Sequence, residues 1–163
     1  MAYPPNSPTP TFAGFQLWVT NVVGIPSTAI PATPPFEQWA YDTAVALVNL
    51  QLQGVPGPLY LQAVYNLATD TLINWCVDVP GVYYPTNNPN QLGWFAYLRK
   101  QFNISGFTAG VVQASYDQGS STNLAVPEQM KSLTFANLQT LKTPYGRAYL
   151  SIAQSVGTLW GLT

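Results

Sequence analysis

The stretch Pro58–Val77, PLYLQAVYNLATDTLINWCV, decides how the rest of the chain must fold. Tyr60, Val64, Leu67, Ala68, Thr71, Leu72 and Trp75 recur at the 3.6-residue helical period and form one stripe. Leu61, Tyr65 and Ile73 carry apolar cover around the rest of the cylinder. A helix apolar on most sides needs neighbours on most sides, so this one is expected at the centre of a helical bundle.

Working outward, the neighbours announce themselves by the same period. A helix is expected at about 34–52, with Thr33 as its cap, prolines in its opening turn and Glu37 at the positive end of its dipole. Phe36, Trp39, Ala40, Thr43, Ala44, Leu47 and Val48 would form its stripe, and Gly54 with Pro56-Gly57-Pro58 would end it. A loop with Pro80-Gly81, Pro85 and Asn87–Asn90 leads to a helix at about 91–102 carrying Leu92, Phe95, Ala96, Leu98 and Phe102. Pro127-Glu128 opens a short helical stretch with Met130 and Leu133, and Thr134 caps another with Leu138 and Leu141. The last helix, about 144–157, places Tyr145, Ala148, Tyr149, Ile152 and Val156 opposite Arg147, Ser151, Gln154 and Ser155; Leu159 and Trp160 continue the apolar face. Val111–Tyr116 and Thr122–Val126 are β-compatible runs around Asp117-Gln118-Gly119-Ser120-Ser121, the pattern of a hairpin. The expected class is mainly α: a small helical bundle with a β-hairpin excursion.

The N-terminal part reads differently. Eight of the fifteen prolines fall in the first 35 residues, which favours an extended Pro-rich arm over 1–33 ahead of the helical domain at 34–163. Within the arm, Phe15–Ile25 (FQLWVTNVVGI) is apolar and β-branched, suited to an edge strand or a segment docked on a neighbour. Residues 1 to about 14 are expected to lack fixed structure until they meet a partner, because prolines remove donors and little apolar surface offsets the ordering entropy.

Composition narrows function. Charged residues are 7% of the 163, five basic and six acidic, where a soluble domain carries about 25%. Aromatics reach 13%, and Tyr, Trp and Phe are the types that interfaces favour while Lys, Glu and Asp are depleted there. Such a surface is expected to be covered largely by other protein chains. No run approaches the roughly 18 apolar residues of a membrane helix, and Met1-Ala-Tyr-Pro-Pro-Asn lacks the basic start and apolar core of a secretion signal. Cys76 stands alone, so an internal disulfide or a Cys-based metal cluster is ruled out. It reads as a small buried hydrophobe. Arg99-Lys100 is the only adjacent basic pair, too little for tracking phosphates, and fits a solvated helix face.

Catalytic chemistry has few candidates. With no His, neither a Ser-His-Asp nor a Cys-His arrangement can form, nor a His-ligated zinc site. The acids at 37, 42, 70, 78, 117 and 128 are spread over different elements, with no pair set for acid–base work. No Gly-rich phosphate loop occurs. Asp117–Ser121 lacks the alternating acidic ligands and closing Glu of a calcium loop, and is a turn. No enzyme and no cofactor are expected.

The order of features in the C-terminal half carries a resemblance. Val111-Val112-Gln113-Ala114-Ser115-Tyr116-Asp117-Gln118-Gly119-Ser120-Ser121 precedes a short helix, then Leu141-Lys142-Thr143-Pro144-Tyr145-Gly146-Arg147-Ala148 opens the last one. This resembles the head-completion, or adaptor, proteins of the head–tail connector in tailed bacteriophages, over about residues 34–158. In that family a Thr-x-Tyr-Gly-like motif starts the last helix after a Gly- and Ser-rich β excursion. The resemblance implies a virion structural protein forming a homo-oligomeric ring between portal and tail or neck proteins, with DNA only as passing cargo. Its motif residues here would be Thr143, Tyr145, Gly146 and Arg147; Thr143 can cap, Pro144 suits the first helical position, Gly146 admits a close neighbour and Arg147 faces outward. Val111, Val112, Gln113, Ser115, Asp117, Gly119, Ser120 and Thr122 are the expected assembly segment. The long Pro-rich arm, the low charge and residues 79–90 depart from the family pattern. Two alternatives fit the composition: another phage structural subunit (tail terminator, minor coat or decoration protein), or a small-ligand or carbohydrate-binding module built on exposed Trp and Tyr.

Overall fold

A computed structural model describes residues 8–55, 57–84, 92–104, 115–117, 120–122 and 140–155. Five α-helices lie within them: α1 (Phe12–Trp18), α2 (Phe36–Leu47), α3 (Leu59–Trp75), α4 (Trp94–Gln101) and α5 (Pro144–Ser155). Two small antiparallel pairs join them, β1 (Tyr83–Tyr84) with β2 (Leu92–Gly93) and β3 (Ser115–Asp117) with β4 (Ser120–Thr122). The chain is mainly helical with a β-hairpin, as its periodicity requires.

α3 is the axis of the bundle. Every residue from Ala63 to Ile73 on it is buried, and α2 and α5 are its main packing partners. A helix buried all round must hide its polar side chains, and α3 does so against its own backbone. Asn66, Thr69, Thr71 and Asn74 each donate to the carbonyl four residues earlier, at 2.7–2.9 Å. Trp75, expected on the buried stripe, is instead exposed where the helix ends.

The N-terminal segment corrects the expectation of an extended arm reaching residue 33. Residues 12–18 are α-helix and 19–23 continue as a π turn, so Phe15–Ile25 is neither strand nor detached arm. Phe15, Val19, Ile25 and Ala29 belong to the same buried core as α3. Thr11 caps the helix, its Oγ1 accepting from Gly14 N–H at 3.1 Å. Tyr41 Oη donates to the Pro10 carbonyl at 2.9 Å, so the expectation of an unfixed segment 1–14 also fails from Pro10 onward. Residues 1–7 lie outside the described residues.

α2 is shorter than its expected 34–52. It begins at Phe36 without a side-chain cap, so Thr33 does not fill that role, and it stops at Leu47. Val48 is extended, and Asn49 Oδ1 accepts from Gln51 N–H at 2.9 Å, starting a separate 3-10 turn over Leu50–Gly54. Ala40, Ala44 and Val48 are buried as their spacing implies, while Trp39 and Leu47 face solvent. α4 falls within its expected span and closes on Asn103 (φ 53°), with Ile104 N–H donating to the Arg99 carbonyl at 2.9 Å and Asn103 N–H to the Lys100 carbonyl at 3.0 Å. Of the helical stretches expected from Pro127 and from Thr134, Glu128, Met130, Leu133, Thr134 and Leu138 lie outside the described residues, and Leu141 sits in the turn before α5.

Candidate functional site

The Thr143–Arg147 motif is where the last helix is fastened to the axis. Thr143 is fully buried at the position preceding α5. Its Oγ1 donates to Asp70 Oδ1 on α3 at 2.6 Å and accepts from Gly146 N–H at 2.9 Å, so one hydroxyl caps α5 and ties it to α3. Gly146 is required by proximity: a Cβ there would overlap the Thr140 carbonyl oxygen and stand 2.9 Å from Asp70 Oδ1. Arg147 is exposed, and its Nη1 donates to the Leu141 carbonyl at 3.0 Å, bracing the turn from outside. Tyr145 packs edge-on against Phe102 at 6.4 Å between ring centres, linking α5 to the end of α4.

Asp70 is the residue that the periodicity did not single out. Its signal is present: an acid between Thr69 and Thr71 inside an apolar helix needs a buried partner. Burial pushes its carboxyl up to about 6, against the opposing pull of the Thr143 hydroxyl, Asn74 and the Lys142 charge.

The expected assembly segment is only partly described. Ser115 pairs with Thr122 and Asp117 with Ser120, so a hairpin is present, with Asp117, Ser120 and Ser121 in its strands and not in the expected turn. Val111, Val112, Gln113 and Gly119 lie outside the described residues. Of the motif residues, the structure brings Thr143 and Gly146 to Asp70, while Tyr145 meets Phe102 and Arg147 the Leu141 carbonyl.

No protein-family model, curated protein or solved structure matches this chain.

The surface offers apolar contact more than chemistry. Leu17 and Val22 after the first cap, Trp39, Leu47 and Leu50 along α2 and beyond it, and Trp75, Val77 and Tyr83 past α3 are all exposed. Among the described residues no three His, Cys, Asp or Glu side chains come close enough to hold a metal ion, and no helix is long and apolar enough to cross a membrane. A surface hollow of about 350 Å³ is lined by Ala96, Arg99, Lys100 and Asn103. Arg99 serves the fold there, its Nη2 donating to the Cys76 carbonyl at 2.7 Å and its Nε to the Phe95 carbonyl at 3.1 Å. Cys76 itself is fully buried, and burial pushes its thiol up to about 12, far from a reactive thiolate.

A second acid was likewise not anticipated. Asp78 caps α4 from outside that helix: Oδ1 accepts from Phe95 N–H at 2.6 Å and Oδ2 from Ala96 N–H at 3.1 Å. Gly93 makes this possible, since a Cβ at that position would occupy the Asp78 carboxyl.

Proposed function

We propose that this protein is a structural subunit of the head–tail connector of a tailed bacteriophage, an adaptor that assembles with copies of itself into a ring between portal and tail, around the channel through which DNA passes. The observation that carries this proposal is the Thr143–Gly146 motif: the residues on which the family resemblance rests form the buried junction between the last helix and the axial helix. A motif with that structural task fits a family in which such a motif starts the last helix.

The surface is consistent with the same role. A ring subunit covers two lateral faces as well as its upper and lower contacts, so it needs little charge and tolerates exposed apolar side chains. Eleven charged residues in 163 and eight exposed large apolar side chains among the described residues agree with that economy. The β3–β4 hairpin supplies backbone pairing capacity for a neighbouring chain or for the channel wall. In this proposal the protein carries out no reaction and resides in the virion.

Co-sedimentation with the purified portal of the same particle tests the proposal. Retention of the subunit on the portal, as rings visible in negative stain, is expected. Failure to bind portal, together with retention on a glycan surface through Trp39 or Trp75, would replace it with the aromatic binding module. Failure on both would overturn the connector assignment in favour of a different structural subunit.

A further inference from the structure

Asp70 is 6% exposed, in the middle of the helix around which the bundle is built. Its carboxyl reaches the first turn of α5 through a single hydroxyl, Asp70 Oδ1 to Thr143 Oγ1 at 2.6 Å and Thr143 Oγ1 to Gly146 N at 2.9 Å. Gly146 brings the α5 backbone so close that the Thr140 carbonyl and the Asp70 carboxyl fill the space a side chain would need. With α5 seated, water has little access to the carboxyl.

We propose that this junction is a proton-dependent latch: with Asp70 protonated α5 stays closed on α3, and loss of the proton loosens α5 so that its apolar face can be offered elsewhere. The face in question carries Tyr145, Tyr149 and Ile152, which pack against the core when α5 is seated.

The physical cause is desolvation. An ionised carboxylate inside the bundle exchanges its hydration for one hydroxyl, the neighbouring Asn74 amide and the attraction of Lys142, and burial outweighs all three. The elements packed on α3 carry Glu37, Tyr41 and Asp42 on α2, Tyr97, Arg99 and Lys100 on α4, and Tyr145, Arg147 and Tyr149 on α5. Of the surrounding charges, the one that acts on Asp70 is Lys142, just before α5. Tyr145 and Tyr149 are raised further above their usual range by burial, so neither titrates near neutrality.

The sign follows from the raised carboxyl. The closed state holds the proton more tightly than the open state, in which the group returns towards its ordinary 3.8 from about 6. The contribution to closure is complete below about pH 4 and is lost as pH rises through about 6. Two units of displacement correspond to a rise of roughly a hundredfold in the open fraction across that window, level above it.

Hydrogen–deuterium exchange on the full chain tests the latch. Opening constants, corrected for intrinsic exchange, are read for α5 and α2 between about pH 5 and 8, for the native protein and for Asp70→Asn, which keeps an acceptor for Thr143 but does not titrate in this range. Opening of α5 is expected to grow several-fold to tenfold from about pH 5 to 7 while α2 stays level, and Asp70→Asn should remove the dependence. A level α5 in the native protein, the same slope in Asp70→Asn, or α2 rising in step with α5 would overturn the proposal. Should Asp70→Asn fail to fold, a carbon-13 titration of the Asp70 carboxyl in the native protein decides: a midpoint near 6 supports the latch, and one in the ordinary carboxylate range overturns it.

Discussion

Tyr65 and Thr11 exchange two hydrogen bonds across 54 positions of chain: Tyr65 Oη donates to the Thr11 carbonyl at 3.1 Å and accepts Thr11 N–H at 3.2 Å. Thr11 is also the residue that caps α1, so the first helix is started and positioned from the axial helix at one point. The Tyr65 ring continues the contact, lying 5.8 Å from the rings of both Phe15 and Trp18. The Pro-rich beginning of the chain is thereby recruited into the bundle from Pro10 onward.

Tyr65→Phe keeps the ring and removes only the hydroxyl. It takes the tyrosine partner from the amide and carbonyl of Thr11, an exposed cap that water can reach, and is expected to lower stability by about 0.5–1.5 kcal/mol. Amide exchange should accelerate over α1 before it does over α3. Unchanged chemical denaturation would show that the α1 cap is not held from Tyr65.

Gly146→Ala should be strongly destabilising, although alanine normally favours a helix over glycine by about 1 kcal/mol. The added methyl meets the Thr140 backbone, which cannot rotate away as a side chain could, and a loss of about 2–3 kcal/mol is expected. Thr143→Ser retains the hydroxyl that joins Asp70 to Gly146 and should cost much less than Thr143→Ala. Thermal melts of the three variants give the ranking, and a harmless Gly146→Ala would refute the close approach.

Asp78 and Gly93 should behave as one unit. Asp78→Ala uncaps α4, at about 1–2 kcal/mol. Gly93→Ala displaces the same carboxyl and should cost a similar amount. Combined, the second substitution no longer displaces a carboxyl but still meets the β-carbon at position 78, so the two losses should be less than additive. Additive losses in that cycle would sink the account.

Cys76 should resist labelling while the protein is folded. The side chain is fully buried and its thiol is pushed up to about 12, so reaction with an aromatic disulfide at about pH 8 should follow the rate of unfolding. Rapid modification of the folded chain would place the thiol at the surface instead.

Replacing Gly119 and Ser120 by Pro tests the hairpin. Ser120 pairs with Asp117 at the closed end of β3–β4, and Pro removes a donor there. On the proposed connector role, the isolated subunit should stay folded while joining of heads to tails in an in vitro assembly assay is lost. Unfolding of the subunit would assign the segment to the core.

By itself, the sequence determined that α3 is central, because a 3.6-residue period with apolar cover on most sides has no other low-energy placement. It likewise determined the existence of α2, α4, α5 and the β3–β4 pair, since periodicity and turn chemistry are local properties. Only the tertiary structure decided the state of residues 12–23, where β-branched, proline-flanked sequence became helix once Thr11 and Phe15 had α3 to pack on. The roles of Asp70 and Asp78 belong to the same class: each carboxyl binds atoms 17 to 73 residues away, and spacing along one element carries no record of such a partner. Local periods are written in the order of residues, whereas buried polar pairs exist only after the helices have met.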